Sequence, residues 1–442
     1  MLRFMLPLVL GNVIQQFYSM ADAFVVGRGI GVEALAAVGA IHGINFILMG
    51  MVLGFTQGIS IVTAKYFGAD DVKGVRKSFA TCMVVVFIFS LVATAGSIAL
   101  LPLLLEWLRT PAEVAHDAYA YMLVILLGIP ATAAANLFSN IMRATGNSKS
   151  PFLFLMISSL LNVVLDVVAV FGFGFGVVAV ALTTVLAQAL SALLCWRHIR
   201  EKIPVLRIGK EDWNLRGFDV KKHISMGGSL GVQSTIIGLG QLAVSFALNG
   251  MGSAAIAATT AAQKIDGIGI MPLSSLGITI CTFVSQNYGA GKMDRIWVGI
   301  KKALVLAAAY GIPMGVMTVF FGDDLAAFFV GNDPAIVPLA HTYLIVNGLP
   351  YIIIGLMFIF RSAVQGLGYG LAATFSGVVE LVMRVIAAAF LSQRFGYAGL
   401  AAANPLAWLG SAILMAVMFC IIMKKWESQR ENQREEPLNE NN

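Results

Sequence analysis

The chain has 442 residues, of which 58% are hydrophobic and only 12% are charged, and its mean hydropathy is +0.84. This composition cannot supply the charged surface that a soluble protein of this length needs, so it predicts a multi-pass membrane protein. Basic loops on the inner membrane face account for the formal net charge of +6, and no nucleic-acid partner is expected.

Apolar stretches long enough to span a bilayer recur along the whole chain. A transmembrane helix needs roughly 20 apolar residues. The sequence therefore predicts an all-α polytopic membrane protein with twelve helices, six in each half. The predicted spans are 4–27, 37–62, 79–104, 118–142, 151–171, 176–196, 224–249, 255–283, 299–321, 336–360, 371–392 and 397–423.

The placement of Lys and Arg predicts the orientation, because short loops rich in basic residues stay in the cytoplasm. If both termini are cytoplasmic, the outer loops contain only Arg28, Arg109 and Arg394. Lys264 and Arg384 lie within helices, and the other basic residues fall in inner loops and tails. Both termini are therefore expected in the cytoplasm.

The chain contains an internal duplication. The segment GIGVEALAAVGA at 29–40 returns as GMGSAAIAATTA at 250–261, a shift of 221 positions, and the same shift carries Gly68 onto Gly289. Chance matches of Gly and Ala would not keep one register over separated blocks. Six helices per half make the two repeats parallel rather than inverted.

The duplication sets the predicted domains. An amino-terminal lobe is expected over 1–200 and a carboxy-terminal lobe over 223–424. A cytoplasmic linker over 201–222 contains the longest polar segment. The tail over 425–442 has almost no apolar residues and is expected to be disordered.

Polar side chains at membrane depth are the candidate functional residues, because each is costly to bury and usually faces a cavity or a partner. In the first lobe they recur every three or four residues on three helices, which places each set on one helix face. Three polar faces in one lobe are expected to converge. They are Asn12, Gln15, Ser19 and Asp22 on helix one, Asn162 and Asp166 on helix five, and Thr184, Gln188 and Ser191 on helix six.

Two acids without a basic residue in the same helices indicate a cation site. A charged Asp at the centre of a membrane helix costs about 2.5–3.5 kcal/mol, which favours proton uptake there. Carboxylate, amide and hydroxyl oxygens could equally hold Na⁺, so the sequence does not choose between the two ions. For Asn162 alone, a purely structural hydrogen bond between helices is an equal alternative.

The second half has no matching acid pair. At the shift of 221, Asp22 corresponds to Ala243. A slip to 222, set by Gly146 and Gly368, places Arg384 opposite Asn162. The broken symmetry therefore locates the cation site in the first lobe.

Charged residues of another kind occupy the second half. Glu380 and Arg384 are four apart on helix eleven and are interpreted as a self-neutralising structural pair. Lys264 and Asp266 on helix eight are two apart and cannot share a face, so at least one of them needs a partner elsewhere.

Several segments resemble the bacterial multidrug and toxic compound extrusion (MATE) transporters. They are PLVLGNVIQQFYSMADAFVVGRGIGVEALAAVGA, the YFGA and NYGA loop starts, and MRATGNSKSP after helix four. The resemblance extends to about residue 425. It implies a V-shaped pair of six-helix lobes around a central cavity in the bacterial cytoplasmic (inner) membrane. It also implies export of mostly cationic amphiphilic compounds in exchange for H⁺ or Na⁺, and we expect a monomer without a cofactor.

The resemblance also implies the site residues. The family's amino-lobe cation site corresponds to Asp22, Asn162, Asp166 and Thr184, which would also be the ligands of Na⁺, and Pro7 corresponds to the bend of the first helix. Gln233 stands where many members carry a Glu early in helix seven, which places any second cation site in doubt. Substrate or network residues are expected at Gln15, Tyr18, Tyr121, Gln188, Gln233, Lys264, Asp266, Glu380 and Arg384.

The alternative function is a flippase of the same architecture that moves a lipid-linked oligosaccharide or another lipid. Such a protein needs cavity cations to hold a diphosphate, and Lys264 and Arg384 are the only candidates within helices. An enzyme is not expected, because the sequence lacks a metal-ligating His cluster, a nucleophile elbow and a phosphate-binding Gly loop followed by Lys.

Overall fold

The structure, a computed structural model, describes residues 1–107, 112–214 and 219–439. Within these ranges the chain is helical and forms no strand. The helices of the first half are α1 (Leu2–Val25), α2 (Val32–Ala40), α3 (His42–Gly68), α4 (Val72–Trp107), α5 (Ala112–Leu127), α6 (Ile129–Ala144), α7 (Lys149–Val167) and α8 (Val177–Lys202). Those of the second half are α9 (Val220–Asn249), α10 (Ser253–Gly289), α11 (Met293–Phe320), α12 (Gly322–Val330), α13 (Val337–Gly348), α14 (Tyr351–Gly366), α15 (Gly370–Ile386), α16 (Ser392–Ala401) and α17 (Ala403–Asn439).

The predicted membrane spans are present as helices. Nine described helices are long and apolar enough to cross a membrane, and two pairs bent by 45°, α5 with α6 and α13 with α14, raise the number to 11. The remaining span, α1, has 24 residues, but its polar face lowers its hydropathy. The predicted all-α polytopic fold is thus confirmed.

Both bent spans contain the same pair of residues at the break. Gly128 and Pro130 lie at the junction of α5 and α6, and Gly348 and Pro350 lie at the junction of α13 and α14. Proline removes a backbone donor and clashes with the preceding turn, which bends a helix. The two halves therefore bend at equivalent positions.

The backbone repeats the duplication seen in the sequence. Residues with a positive φ, which favours glycine, recur at the repeat shift. Because these positions set how one helix leaves and the next begins, the connections of the two halves are alike. The pairs are Gly31 with Gly252 and Asp70 with Gly291 at a shift of 221, and Gly146 with Gly368 and Gly174 with Gly396 at a shift of 222.

Three described helices run into a short π-helical segment, a feature that is frequent at functional sites. Each segment begins within four residues of a polar side chain named from the sequence: Asp22 before the first, Asp166 before the second and Arg384 before the third. The segments are Val26–Ile30 after α1, Val168–Gly172 after α7 and Ala387–Leu391 after α15.

The chain divides into two compact units. Unit 1 comprises Met1–Leu242 with Thr282–Trp297, and unit 2 comprises Ala243–Cys281 with Val298–Asn442. These bounds differ from the lobes predicted over 1–200 and 223–424, because α9 up to Leu242, the end of α10 and the start of α11 belong to unit 1. The prediction of two lobes that divide at the linker stays a prediction.

Two hydrogen bonds, one buried and one half-buried, hold the start of α9 and the end of α10 in unit 1. His223 Nε2, near the start of α9, lies 2.8 Å from Ser78 Oγ on α4. Gln286 Nε2, near the end of α10, donates to the carbonyl oxygen of Ala144 at 2.8 Å.

The segments predicted as linker and tail both contain helical residues. Between α8 and α9 the described residues form two short 3₁₀ turns, Pro204–Leu206 and Lys210–Trp213; residues 215–218, like Arg109, lie outside the described ranges. In the described structure α17 continues to Asn439, and the disordered tail stays a prediction. Glu, Gln, Lys and Arg are good helix formers, and extending an existing helix avoids the cost of nucleation.

Each unit has its own apolar core. In unit 1 the core is formed by side chains of α3, α4, α5 and α6, among them Phe79, Met122 and Ile141, which have no exposed surface. In unit 2, Ala258, Ala262 and Leu344 form the centre of a smaller cluster. Large apolar side chains remain exposed, as expected for helices that face lipid.

The close approach of α3 to α9 can be tested with a matched pair of glycine variants. A Cβ at Gly54 would lie 2.4 Å from the carbonyl oxygen of Leu230, whereas a Cβ at Gly96 on α4 meets no atom within 4 Å. Overpacking at Gly54→Ala is therefore expected to lower the free energy of unfolding by about 1–3 kcal/mol. Gly96→Ala should leave stability unchanged or slightly higher. The measurement is thermal unfolding in detergent; equal melting temperatures for both variants would contradict the contact.

Candidate functional site: an acidic pair between α1 and α7

Two carboxyl groups meet inside unit 1. The carboxyl groups of Asp22 on α1 and Asp166 on α7 lie close enough to interact directly. Asp166 has no exposed surface, and one oxygen of each group, Asp22 Oδ1 and Asp166 Oδ2, is buried without a partner. Two carboxylates this close repel each other unless a proton or a cation lies between them. The arrangement therefore favours the uptake of positive charge.

The hydroxyl group on this acidic pair differs from the one that the resemblance implied. Thr183 on α8 donates from Oγ1 to Asp166 Oδ1, whereas Thr184 Oγ1 lies 3.2 Å from Tyr18 Oη. Consecutive residues of a helix point about 100° apart, so only one of the two threonines can face Asp166. The TT pair in the sequence was the available signal, but it did not show which hydroxyl faces the acid.

Asn162 lies one helical turn before Asp166 on α7 and is completely buried. Neither Nδ2 nor Oδ1 has a hydrogen-bond partner. A side chain that ties two helices together would be bonded to the second helix. The structural alternative for Asn162 therefore has no support in the observed contacts, and its amide is available to a ligand.

The other residues predicted near this site lie at different depths. Tyr121 interacts electrostatically with Asp22 and Asp166, and Tyr18 contacts Thr184 as described above. Gln188 on α8 is half-buried, whereas Gln15 on α1 is exposed. Pro7 is buried inside α1, which remains helical through it. Gln233 on α9 is buried in unit 1.

Unit 2 contains a second buried polar cluster, centred on Glu380 and Arg384 of α15. Glu380 Oε2 lies 3.4 Å from Arg384 Nη2, and Glu380 Oε1 lies 2.6 Å from Nη1 of Arg361 on α14. Arg384 Nε donates to Asn404 Oδ1 at 3.2 Å, and Asn404 Nδ2 donates to Tyr343 Oη at 3.2 Å. The interpretation of Glu380 and Arg384 as a self-neutralising pair is incomplete, because one acid is shared by two arginines.

Arg361 is the functional candidate that the sequence did not reveal. A charged residue ends an apolar stretch, so the predicted span ends at residue 360 and the sequence places Arg361 in a loop. In the structure it lies within α14, and its side chain is only 11% exposed. The sequence does not show that Arg361 and Arg384 both contact Glu380, because this depends on the contact between α14 and α15.

The acid of α10 is paired as well. Asp266 is buried, and its Oδ1 accepts a hydrogen bond of 2.8 Å from Tyr351 Oη. Lys264 is exposed, which agrees with the prediction that the two residues cannot share a face. Over the described part of the chain, no group of three or more His, Cys, Asp or Glu side chains could hold a metal ion.

A family model described as MatE matches residues 7–168 and again residues 230–391. The chain belongs to this family. The two matches begin at residues 7 and 230, a shift of 223, which confirms the duplication.

Relatives and solved structures are similar over nearly the full length. The chain is 26% identical over 439 residues to the "Probable multidrug resistance protein YoeA" of Bacillus subtilis, covering 97% of this chain and 94% of the relative. It is 24% identical over 424 residues to an FAD transporter of Shewanella oneidensis, covering 92% and 90%. An outward-facing multidrug resistance MATE family transporter has the same fold, with a TM-score of 0.89, 21% identity and coverage of 96% and 95%. The MatE protein is therefore a multi-pass membrane transporter of small molecules, and these relatives support a role in multidrug efflux.

The contacts of Asn162 and Thr183 give opposite expectations for stability. Asn162→Leu removes two buried polar atoms that have no partner, so the free energy of unfolding should stay within about 0.5 kcal/mol or rise. Thr183→Val leaves Asp166 Oδ1 without its hydroxyl donor and should lower the free energy of unfolding by about 1–3 kcal/mol. Thermal unfolding in detergent checks both variants. Equal destabilisation would show that Asn162 makes a structural hydrogen bond.

Proposed function

We propose that the protein exports cationic amphiphilic compounds across a bacterial cytoplasmic membrane in exchange for H⁺ or Na⁺ moving inward. The observation that carries this proposal is the acidic pair, Asp22 and Asp166, with a buried unpaired oxygen on each residue. Its negative charge is buried, lies beside the unpaired amide of Asn162, and has no basic partner among the described ion pairs. Such a site is stabilised only when a positive charge reaches it.

The coupling and the export follow from one shared charge. When the pair is neutralised by a proton or Na⁺, α1 and α7 can pack closely. When the pair is ionised, the two carboxylates repel each other and attract a cationic substrate instead. The two cations therefore compete for the same negative charge, which is the requirement for exchange. Each inward charge gains about 2.3 kcal/mol per 100 mV of membrane potential.

The remaining assignments follow from the sequence and the relatives. The distribution of Lys and Arg supports cytoplasmic termini. The names of the relatives, a multidrug resistance protein and an FAD transporter, support export of soluble small molecules. Flipping of a lipid-linked oligosaccharide is less well supported, because neither relative is named for a lipid substrate.

Transport in proteoliposomes tests the proposal. Efflux of ethidium driven by an imposed pH gradient, or separately by a Na⁺ gradient, is expected to fall at least tenfold in Asp22→Asn and in Asp166→Asn, because each variant lacks one of the two carboxylates for which the coupling ion and the substrate compete. The gradient that supports efflux identifies the coupling ion.

A matched control is Asp70→Asn, which changes an exposed acid in the turn after α3 and should leave efflux unchanged. Asparagine also tolerates the positive φ at this position. Gradient-driven efflux at the wild-type rate in both Asp22→Asn and Asp166→Asn would sink the assignment.

A further inference from the structure

One position in the polar cluster of unit 2 corresponds, through the duplication, to a position in the acidic site of unit 1. Two backbone pairs, Gly146 with Gly368 and Gly174 with Gly396, fix the repeat shift at 222. Asn162 lies between the first members of these pairs, so it corresponds to Arg384. Both residues precede a π-helical segment. The position that carries a neutral amide in unit 1 thus carries a positive charge in unit 2.

The charges in this cluster do not cancel. Arg361 and Arg384 both contact Glu380, so two positive charges share one negative charge. The buried acid of α10, Asp266, is bonded to Tyr351, and it makes no ion pair among the described residues. The described ion pairs of this cluster therefore contain one more positive charge than negative charge.

One donor group is also free. Arg384 is 2% exposed, and its Nε and Nη2 atoms are bonded to Asn404 and Glu380, but Nη1 is buried without a partner. A buried donor without an acceptor is costly. An oxygen atom of an anionic ligand would satisfy this donor and neutralise the excess charge at the same time.

The three charged residues of this cluster differ in how deeply their side chains are buried. Arg384 and Glu380 lie deepest, with side chains 2% and 3% exposed, whereas the Arg361 side chain is 11% exposed. The Arg361 guanidinium also lies 5.3 Å from the ring centre of Phe358. A ligand would therefore meet Arg361 first, beside an aromatic surface, and reach Arg384 behind it.

We propose that Arg361 and Arg384, with Glu380 between them, bind the phosphate or carboxylate group of a transported substrate. The planar guanidinium groups suit the two or three oxygens of such an anion. Glu380 screens the repulsion between the two arginines when the site is empty and competes with the incoming anion. This subsite rests on the proposed transport function and extends its substrate class from cations to zwitterions and organic anions.

A matched pair of flavins tests the subsite, since flavin mononucleotide is riboflavin with a phosphate. Binding to the full chain in phosphatidylcholine nanodiscs is measured by flavin fluorescence. The wild type should bind the phosphorylated flavin about tenfold more tightly. Arg384→Gln should abolish this preference without changing riboflavin binding, and Glu380→Gln should strengthen it because the internal competitor is gone.

A second variant and a lipid control distinguish a substrate site from a structural cluster and from a lipid-binding site. Arg361→Gln, at the partly exposed arginine, should also remove the preference and provides a second test if Arg384→Gln does not fold. If the cluster only ties α14, α15 and α17 together, the wild type will show equal affinities, which overturns the proposal. A preference abolished by adding phosphatidylglycerol would assign the site to a lipid headgroup and overturn the substrate assignment.

Comparing ethidium efflux with flavin binding distinguishes failure of the anion subsite from failure of the exporter proposal. Gradient-driven ethidium efflux by the wild type depends on Asp22 and Asp166, whereas the preference for the phosphorylated flavin depends on Arg361 and Arg384. Loss of ethidium efflux in the wild type with a retained phosphate preference would refute cation exchange alone. Wild-type ethidium efflux with equal flavin affinities would refute the anion subsite alone.

Discussion

The cost of burying charge without water is the constraint on which both polar clusters of this protein depend. Inside a bilayer every backbone group is satisfied within its helix, so specificity comes from the few side chains that need a partner from elsewhere. The two units meet this constraint in different ways. Asp22 and Asp166 interact with each other and retain unpaired oxygens, whereas Glu380 is held by two arginines.

The duplication explains how one architecture supports both solutions. The positive-φ positions and the bent spans recur at nearly constant shifts, so the connections and helix bends were retained. A side chain can change without altering such positions, because a helix accepts most residues on its inner face once the packing is kept. Asn162 and Arg384 thus occupy equivalent positions with different charge, and each is followed by a wider π-helical turn.

The sequence predicts the fold well because hydropathy and repeat shift are local properties. The twelve spans, the duplication and the convergence of Asp22, Asn162 and Asp166 all follow from spacing along single helices. Contacts between helices are different, because they depend on rotation and depth. The pairing of Thr183 rather than Thr184 with Asp166 is decided by a 100° rotation on one helix.

The same limit applies to residues at the ends of helices. Arg361 was placed in a loop because a charge ends an apolar window, although a buried acid on α15 allows the helix to continue past it. The sequence also does not predict that the start of α9 and the end of α10 pack into unit 1, since this packing rests on partners far away in the chain, such as Ser78 for His223. Partners distant in sequence, rather than composition, decide these features.

The difference between the clusters has a consequence for motion. The acidic pair has no internal counter-charge among the described ion pairs, so the fit between α1 and α7 changes with the charge that occupies it. The arginine cluster carries its own acid, and Glu380 bonds to α14 while Arg384 bonds to α17. Its helices therefore stay joined when no ligand is bound. Under the two proposals, an anion adds to a site in unit 2 whose helices are already joined, whereas a cation brings together the two carboxyl groups of unit 1.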